Sequence, residues 1–327
     1  MRTHATRNLV VGALICLVLA AGATWAQIRT VGPLVVGEAL SYRDLVVFPV
    51  RTTVRVVGGG YLTLEEALAK GVLIITEAGE GNVNQLLVTN TSDHPIYIMA
   101  GTVIIGGKQD RTIQDDVIIL PHTKKMPLPV YCVEHGRWHG ETTAFGAAPG
   151  VANLQVRKAS QVDRSQQGVW DNVAKSNEAL GTKTETGTYR AILGSGSVQK
   201  RVSEYVSALR PKLLGGDDVV GCVVAVRGKL VAADVFADPA LFRHLWPKLL
   251  ESYATEAMSS GPATTAVRVP SQREAQAFLD RGAAGQARTV STANETTVRE
   301  LTGKGVVVIE TKSGAAAAPV HQSFFAR

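Results

Sequence analysis

Two short segments concentrate the polar chemistry of this chain: Gly106-Gly107-Lys108-Gln109-Asp110-Arg111 and Cys132-Val133-Glu134-His135-Gly136-Arg137-Trp138. Both are set among apolar, strand-like runs. Lys108, Gln109, Asp110, Arg111, Glu134, Arg137 and Trp138 are therefore the candidate ligand-binding residues. Arginine forks match the oxygens of a phosphate or carboxylate. Gln109 can read an amide or hydroxyl, and Trp138 can stack on a planar group. Asp110 and Glu134 are the catalytic candidates, because a pair of carboxylates can divide acid and base work in a hydrolysis. The same residues admit a structural reading. In it, Asp110 pairs with Arg111 or Arg137 and Glu134 pairs with Arg137 under Trp138, tying two strands together. Gly106 and Gly107 allow positive φ or a close approach to the backbone.

Other chemistries fit less well. As a phosphate-binding loop the first segment has Thr102 where the first glycine belongs and Gln109 where Ser or Thr should follow Lys108. His135 and His139, with Glu141 nearby, have metal-ligand spacing only on a helix, and Gly136 and Gly140 disfavour one. No metal and no cofactor is expected. Gly194-Ser195-Gly196 lacks the strand and the glycine spacing of a nucleophile elbow.

The elements that must position these residues fall into three stretches. Residues 1–26 read as a signal peptide, with Arg2, His4 and Arg7 before the apolar run Leu9 to Ala21 and small residues Thr24 and Ala26 at a cut site. The run is shorter than the ~20 residues of a membrane span. Ala13 stands where a lipoprotein signal needs leucine before Cys16. The expectation is a protein outside the cytoplasm, periplasmic or secreted, without an integral membrane segment after cleavage. The full chain has 34 basic and 28 acidic residues and a charge of +6. Loss of Arg2 and Arg7 leaves it mildly basic. The positive charges are scattered, with no interleaved aromatics, which argues against a nucleic-acid partner.

Residues 27–150 read as a β-rich domain carrying both segments, with strands at Leu45 to Val50, Val72 to Glu77, Gln85 to Asn90, Ile96 to Ala100, Val117 to Leu120 and Leu128 to Glu134. One helix interrupts them, opened by a Thr63/Glu66 capping box and closed by Gly71. Residues 151–216 read as helical, with helices at Ser165 to Leu180 and Val198 to Leu213. Residues 217–327 read as α+β. A hairpin (Val219 to Val226, Leu230 to Phe236) leads to a helix capped by Asp238, then to one opened by Ser271 and Glu274. Strands follow at Ala287 to Thr292, Thr296 to Leu301 and Val306 to Thr311. The fold class is α+β: an antiparallel β-rich N-terminal region, sandwich- or barrel-like, packed with a C-terminal helical and mixed region. Cys132 and Cys222 lie in apolar strands, as buried thiols or as a bridge.

The two polar segments, with Gln167-Gly168-Val169-Trp170, Asp234-Val235-Phe236 and Leu245-Trp246, resemble the ARG and rhodanese-phosphatase-superfamily-associated protein domain family from about Gly32 onward. That resemblance implies a link by association to ADP-ribose or phosphate-bearing metabolites. It places the family's polar positions on Gln109, Asp110, Arg111, Glu134, Arg137 and Trp138, and it makes Cys132 a packing position. The leading expectation is an exported binding module for a small anionic, ADP-ribose-like or phosphate-bearing ligand. A hydrolase using Asp110 and Glu134, and a structural or interaction protein of the cell envelope, are the alternatives.

Overall fold

The computed structural model describes residues 33–54, 60–136, 144–146, 150–213, 215–261, 268–293, 295–314 and 318–327. The expected signal peptide at residues 1–26, Arg137, Trp138, His139 and Glu141 lie outside the described residues. Strands β1 (Leu34–Val36), β2 (Leu40–Tyr42), β3 (Leu45–Thr52) and β4 (Leu62–Thr63) precede helix α1 (Leu64–Ala69). Next come β5 (Leu73–Asn82), β6 (Gln85–Asn90), β7 (Ile96–Ile98), β8 (Thr102–Ile104) and β9 (Arg111–Ile113). Strands β10 (Val117–Ile119), β11 (Met126–Cys132), β12 (Ala144–Phe145) and β13 (Gly150–Val151) complete the β-rich part. Helices α2 (Leu154–Gln161), α3 (Gln166–Leu180), α4 (Arg190–Gly194) and α5 (Gly196–Leu213) follow. The last third runs β14 (Val219–Val226), β15 (Lys229–Phe236), α6 (Pro239–Ser259) and α7 (Gln272–Ala283), then β16 (Gln286–Ala293), β17 (Thr296–Gly303), β18 (Val306–Ser313) and β19 (His321–Ala326). This is the expected α+β class.

Local chemistry accounts for the helix ends. The Thr63/Glu66 and Ser271/Glu274 boxes close reciprocally, each hydroxyl accepting from the glutamate N–H while the glutamate carboxylate accepts from the cap N–H. Ser165 caps α3, and Gly181 ends it in the left-handed conformation at φ 67°. Helix α6 continues through Pro247.

Three sheets result. A nine-stranded sheet runs β1-β3-β14-β15-β19-β18-β17-β16 with β2 also on β3, a seven-stranded sheet runs β12-β5-β6-β11-β9-β8-β13, and β10-β7-β4 form the third. Among the described residues every strand pairing except β4 with β7 is antiparallel. Strands β1 to β3 thus belong to the sheet built by the last third, with Val47 opposite Val224 and Leu45 opposite Val226.

Strand β14 is buried along its whole length, because helices cover both faces of the sheet. Its side chains alternate accordingly. Cys222, Val224 and Val226 face the core built with α5 and α6, and Val223 and Ala225 face the core under Phe278 and Leu279 of α7. The period of two also sets β15 and β19. Ala232, Phe236 and Phe325 belong to the α6-side core, so Asp234, His321 and Ser323 project into that same core.

Candidate functional site

The register of β9 on β11 brings the two polar segments together, since Arg111 lies opposite Cys132. The ladder continues as Val133 N donates to Asp110 O at 3.1 Å, and Asp110 N donates to the Glu134 Oε2 at 3.2 Å. A third segment, Thr184 to Arg190, closes the arrangement. His135 N and Gly136 N both donate to Thr186 O, at 3.0 and 2.8 Å, and Tyr189 N donates to Val133 O at 2.9 Å. The Thr186 hydroxyl donates to Glu134 Oε1 at 2.7 Å.

Asp110 is the centre of this junction. Arg190 donates to it from Nε at 2.9 Å and from Nη2 at 2.5 Å, and the Thr188 hydroxyl donates at 3.2 Å. Gly106 N reaches Oδ1 at 3.3 Å. A carboxylate held this way serves as the counter-charge of a guanidinium. Asp110 is 0% exposed, whereas the Arg190 side chain is 46% exposed. Arg111, also 0% exposed, turns inward: its Nη1 donates to Gln109 O at 2.7 Å, and its Nη2 lies 3.9 Å from Glu77 Oε1. Lys108 N donates to the same Glu77 oxygen at 2.8 Å.

The glycine pair is explained by the protein's own packing, Gly106 against the 144–145 backbone and Gly107 against the Phe145 and Glu77 side chains. Residues 105–107 form a bridge to 144–146, with Gly106 opposite Phe145. Gly106 has φ 136°, and a Cβ there would lie 2.6 Å from Ala144 O. Gly106→Ala is expected to cost about 1–3 kcal/mol from backbone strain alone. Chemical denaturation checks this, and a loss below about 0.5 kcal/mol would mean that the bridge yields.

Of the seven ligand-binding candidates, Gln109, Asp110, Arg111 and Glu134 come together as buried groups, and Lys108 is half-buried beside them. Arg137 and Trp138 lie outside the described residues. The described ion pair of Asp110 is to Arg190, which sequence reasoning did not single out. The available signal was the alternation of threonines in Thr182-Lys183-Thr184-Glu185-Thr186-Gly187-Thr188, two of whose hydroxyls bind motif carboxylates. Trp170 packs edge-on to His135 at 4.5 Å. Among the described residues no group of three or more His, Cys, Asp or Glu is placed to hold a metal. No described helix is long and apolar enough to cross a membrane.

The ARG and Rhodanese-Phosphatase-superfamily-associated Protein domain matches residues 33–325, nearly all of the chain. The chain belongs to that family. No curated protein and no solved structure matches it.

One further polar cluster lies deeper, and only Asp234, within the family-like run Asp234-Val235-Phe236, was visible in the sequence. Arg157 of α2 holds the Asp234 carboxylate with Nη1 at 3.0 Å and Nη2 at 2.7 Å. Ser323 donates to Asp234 at 2.7 Å, and the Tyr253 hydroxyl also donates to it. His321 reaches Asp234 through Nε2 at 3.1 Å and Asp116 through Nδ1 at 2.7 Å. The Tyr97 hydroxyl is 3.1 Å from Nδ1, and Phe236 stacks on the imidazole at 4.0 Å. Asp116 also accepts from Ala100 N at 2.8 Å.

Ser323, His321 and Asp116 are spaced like a hydrolytic triad, with Ser323 Oγ 3.4 Å from His321 Nε2. The chemistry is different. All three are buried, and the Ser323 proton goes to Asp234 rather than to the imidazole. Burial alone pushes the His321 pKa down, but Asp116 and Asp234 outweigh it and carry it up to about 9. The ring is therefore an imidazolium at neutral pH, with both nitrogens donating, and has no lone pair to act as a base. Burial likewise pushes Asp116 and Asp234 up, but their cationic partners hold both below the ordinary carboxylate value. Two cations face two anions, and the cluster is balanced.

Cys132 and Cys222 are free and buried. Cys132 exchanges backbone bonds with the Gln166 side chain, each 2.9 Å. Burial pushes its thiol pKa up to about 11 and raises that of Cys222 as well. Neither is a thiolate nucleophile at neutral pH.

Proposed function

We propose that this protein is an extracytoplasmic binding module for a small anionic, phosphate-bearing ligand, taken at the surface where the two polar segments meet the 184–190 loop. The observation that carries this reading is the convergence of three chain segments on buried carboxylates, which fix polar groups at a partly open surface. Lys108 is half-buried there and Arg190 is exposed. The leader-like first 26 residues support export. The association with ARG and rhodanese-phosphatase proteins that the family's name records supports a ligand of the ADP-ribose or phosphate type.

Thermal unfolding of the purified protein against ADP-ribose, nicotinamide nucleotides, sugar phosphates and inorganic phosphate tests the reading. A ligand present at 100 times its Kd is expected to stabilise the native state by about 2.7 kcal/mol through mass action. No rise with any of them would leave the second reading, a structural or interaction protein of the envelope. The observation favouring that reading is that Gln109, Asp110, Arg111 and Glu134 are all buried, as residues that hold a fold together would be.

A further inference from the structure

We infer that Arg190, which lies outside both polar segments, is the residue that grips the ligand, and that the group it grips is an oxyanion presenting two oxygens. The inference rests on the binding reading above and names the contact within it.

The geometry starts at Asp110. A guanidinium carries five N–H donors in a planar fork. Asp110 takes one from Nε and one from Nη2 of Arg190, which uses one side edge of the fork. The end edge, formed by Nη1 and the second Nη2 hydrogen, has no partner among the described residues. That edge matches a carboxylate or two oxygens of a phosphate. The plane of the fork is held as well, because Asp110 is itself bound by Thr188 and Gly106 N. Arg190 therefore meets a ligand with its rotamer already chosen, so less entropy is lost on binding.

The comparison with other exposed arginine pairs is informative. Arg288 also stands at a largely buried carboxylate, Glu300 at 8%, but it is held there through Nη2 alone, whereas the carboxylates that pair with Arg43, Arg51, Arg243 and Arg268 are 37%, 49%, 100% and 43% exposed. Such pairs are mobile and contribute little to stability. At Arg190 the carboxylate is 0% exposed while the arginine stays 46% exposed. Burying a carboxylate to hold a cation at the surface costs desolvation, and a ligand contact at that cation gives the arrangement a use. Arg111 has its Nη1 on Gln109 O and no exposed surface, so it serves the frame beneath.

Calorimetric titration with inorganic phosphate and with succinate tests the assignment, the two probes separating a phosphate source from a carboxylate source. Arg190→Lys keeps a cation for Asp110 but has no second edge. At least one probe is expected to bind wild type, and the variant to bind that probe at least about tenfold more weakly, about 1.4 kcal/mol. Arg243→Lys, at an exposed pair on α6, is expected to change it less than about twofold. Should Arg190→Lys fold poorly, Asp110→Asn with Arg190→Gln keeps the pair neutral and hydrogen-bonded, and is expected to show the same loss. Wild-type binding that either variant retains within about twofold overturns the role of Arg190 and leaves the binding reading standing. No binding of either probe by wild type overturns both.

Discussion

Arg157→Met is expected to lower the unfolding free energy by about 3–5 kcal/mol, the cost of breaking a buried ion pair by removing one partner. Arg157 is fully buried, its bidentate bonds hold Asp234, and its guanidinium lies over the Phe325 ring at 5.8 Å. Methionine fills much of the volume but leaves His321 alone against Asp234 and Asp116. The site around Arg157 is built for that side chain: a Cβ at Gly101 would stand 2.6 Å from Arg157 Cγ. Adding Asp234→Asn restores neutrality, so the double variant is expected to be more stable than Arg157→Met alone. Urea unfolding of the wild type and both variants measures this. A loss below about 1 kcal/mol for Arg157→Met would show that the carboxylate is already compensated by His321, Tyr253 and Ser323.

The second large effect is alkaline. The folded pKa of His321 is about 9 against an ordinary value of 6.5. Its stabilisation is therefore fully present below about pH 6.5 and is lost as pH rises through 9. The difference is on the order of 3 kcal/mol. Asp116 and Asp234 have depressed pKa values, so their contribution is present above the ordinary carboxylate value and is lost as pH falls. Stability is expected to be highest between about pH 5 and 6.5 and to decline toward pH 9. Denaturant midpoints across that range, compared with His321→Gln, check the sign. The variant should be less stable at pH 6 and should lack the decline. A wild-type midpoint that is flat from pH 6.5 to 9 would mean that His321 is neutral in the fold.

Local signals were read well from the sequence, and long-range ones poorly. Thr63 with Glu66, Ser271 with Glu274, and Asp238 before Pro239 are short-range hydrogen-bonding patterns, and each stands where its residues predicted. Strand β19 was not expected, because His321, Gln322 and Ser323 look like surface residues. His321 and Ser323 are polar because that stretch of the core is ionic, and nothing near them in sequence names Asp116, Arg157 or Asp234 as partners. The site divides the same way. The two polar segments were visible from composition, whereas Arg190 was not, because its significance lies in the buried carboxylate 80 residues earlier in the chain.

The pairing of β3 with β14 also sets an order of events in time. Leu45, Val46, Val47, Phe48 and Val50 are all buried in the finished sheet, and β14 is their central neighbour. A growing chain therefore carries an apolar strand, paired only with β1 and β2 and open along its β14 edge, through the synthesis of everything between Thr52 and Val219. Non-local pairing of this kind makes folding slow, and the waiting strand invites wrong partners. Completion must await the C-terminal third, and a nascent fragment stopped before Val219 should be an aggregation-prone client for a holdase.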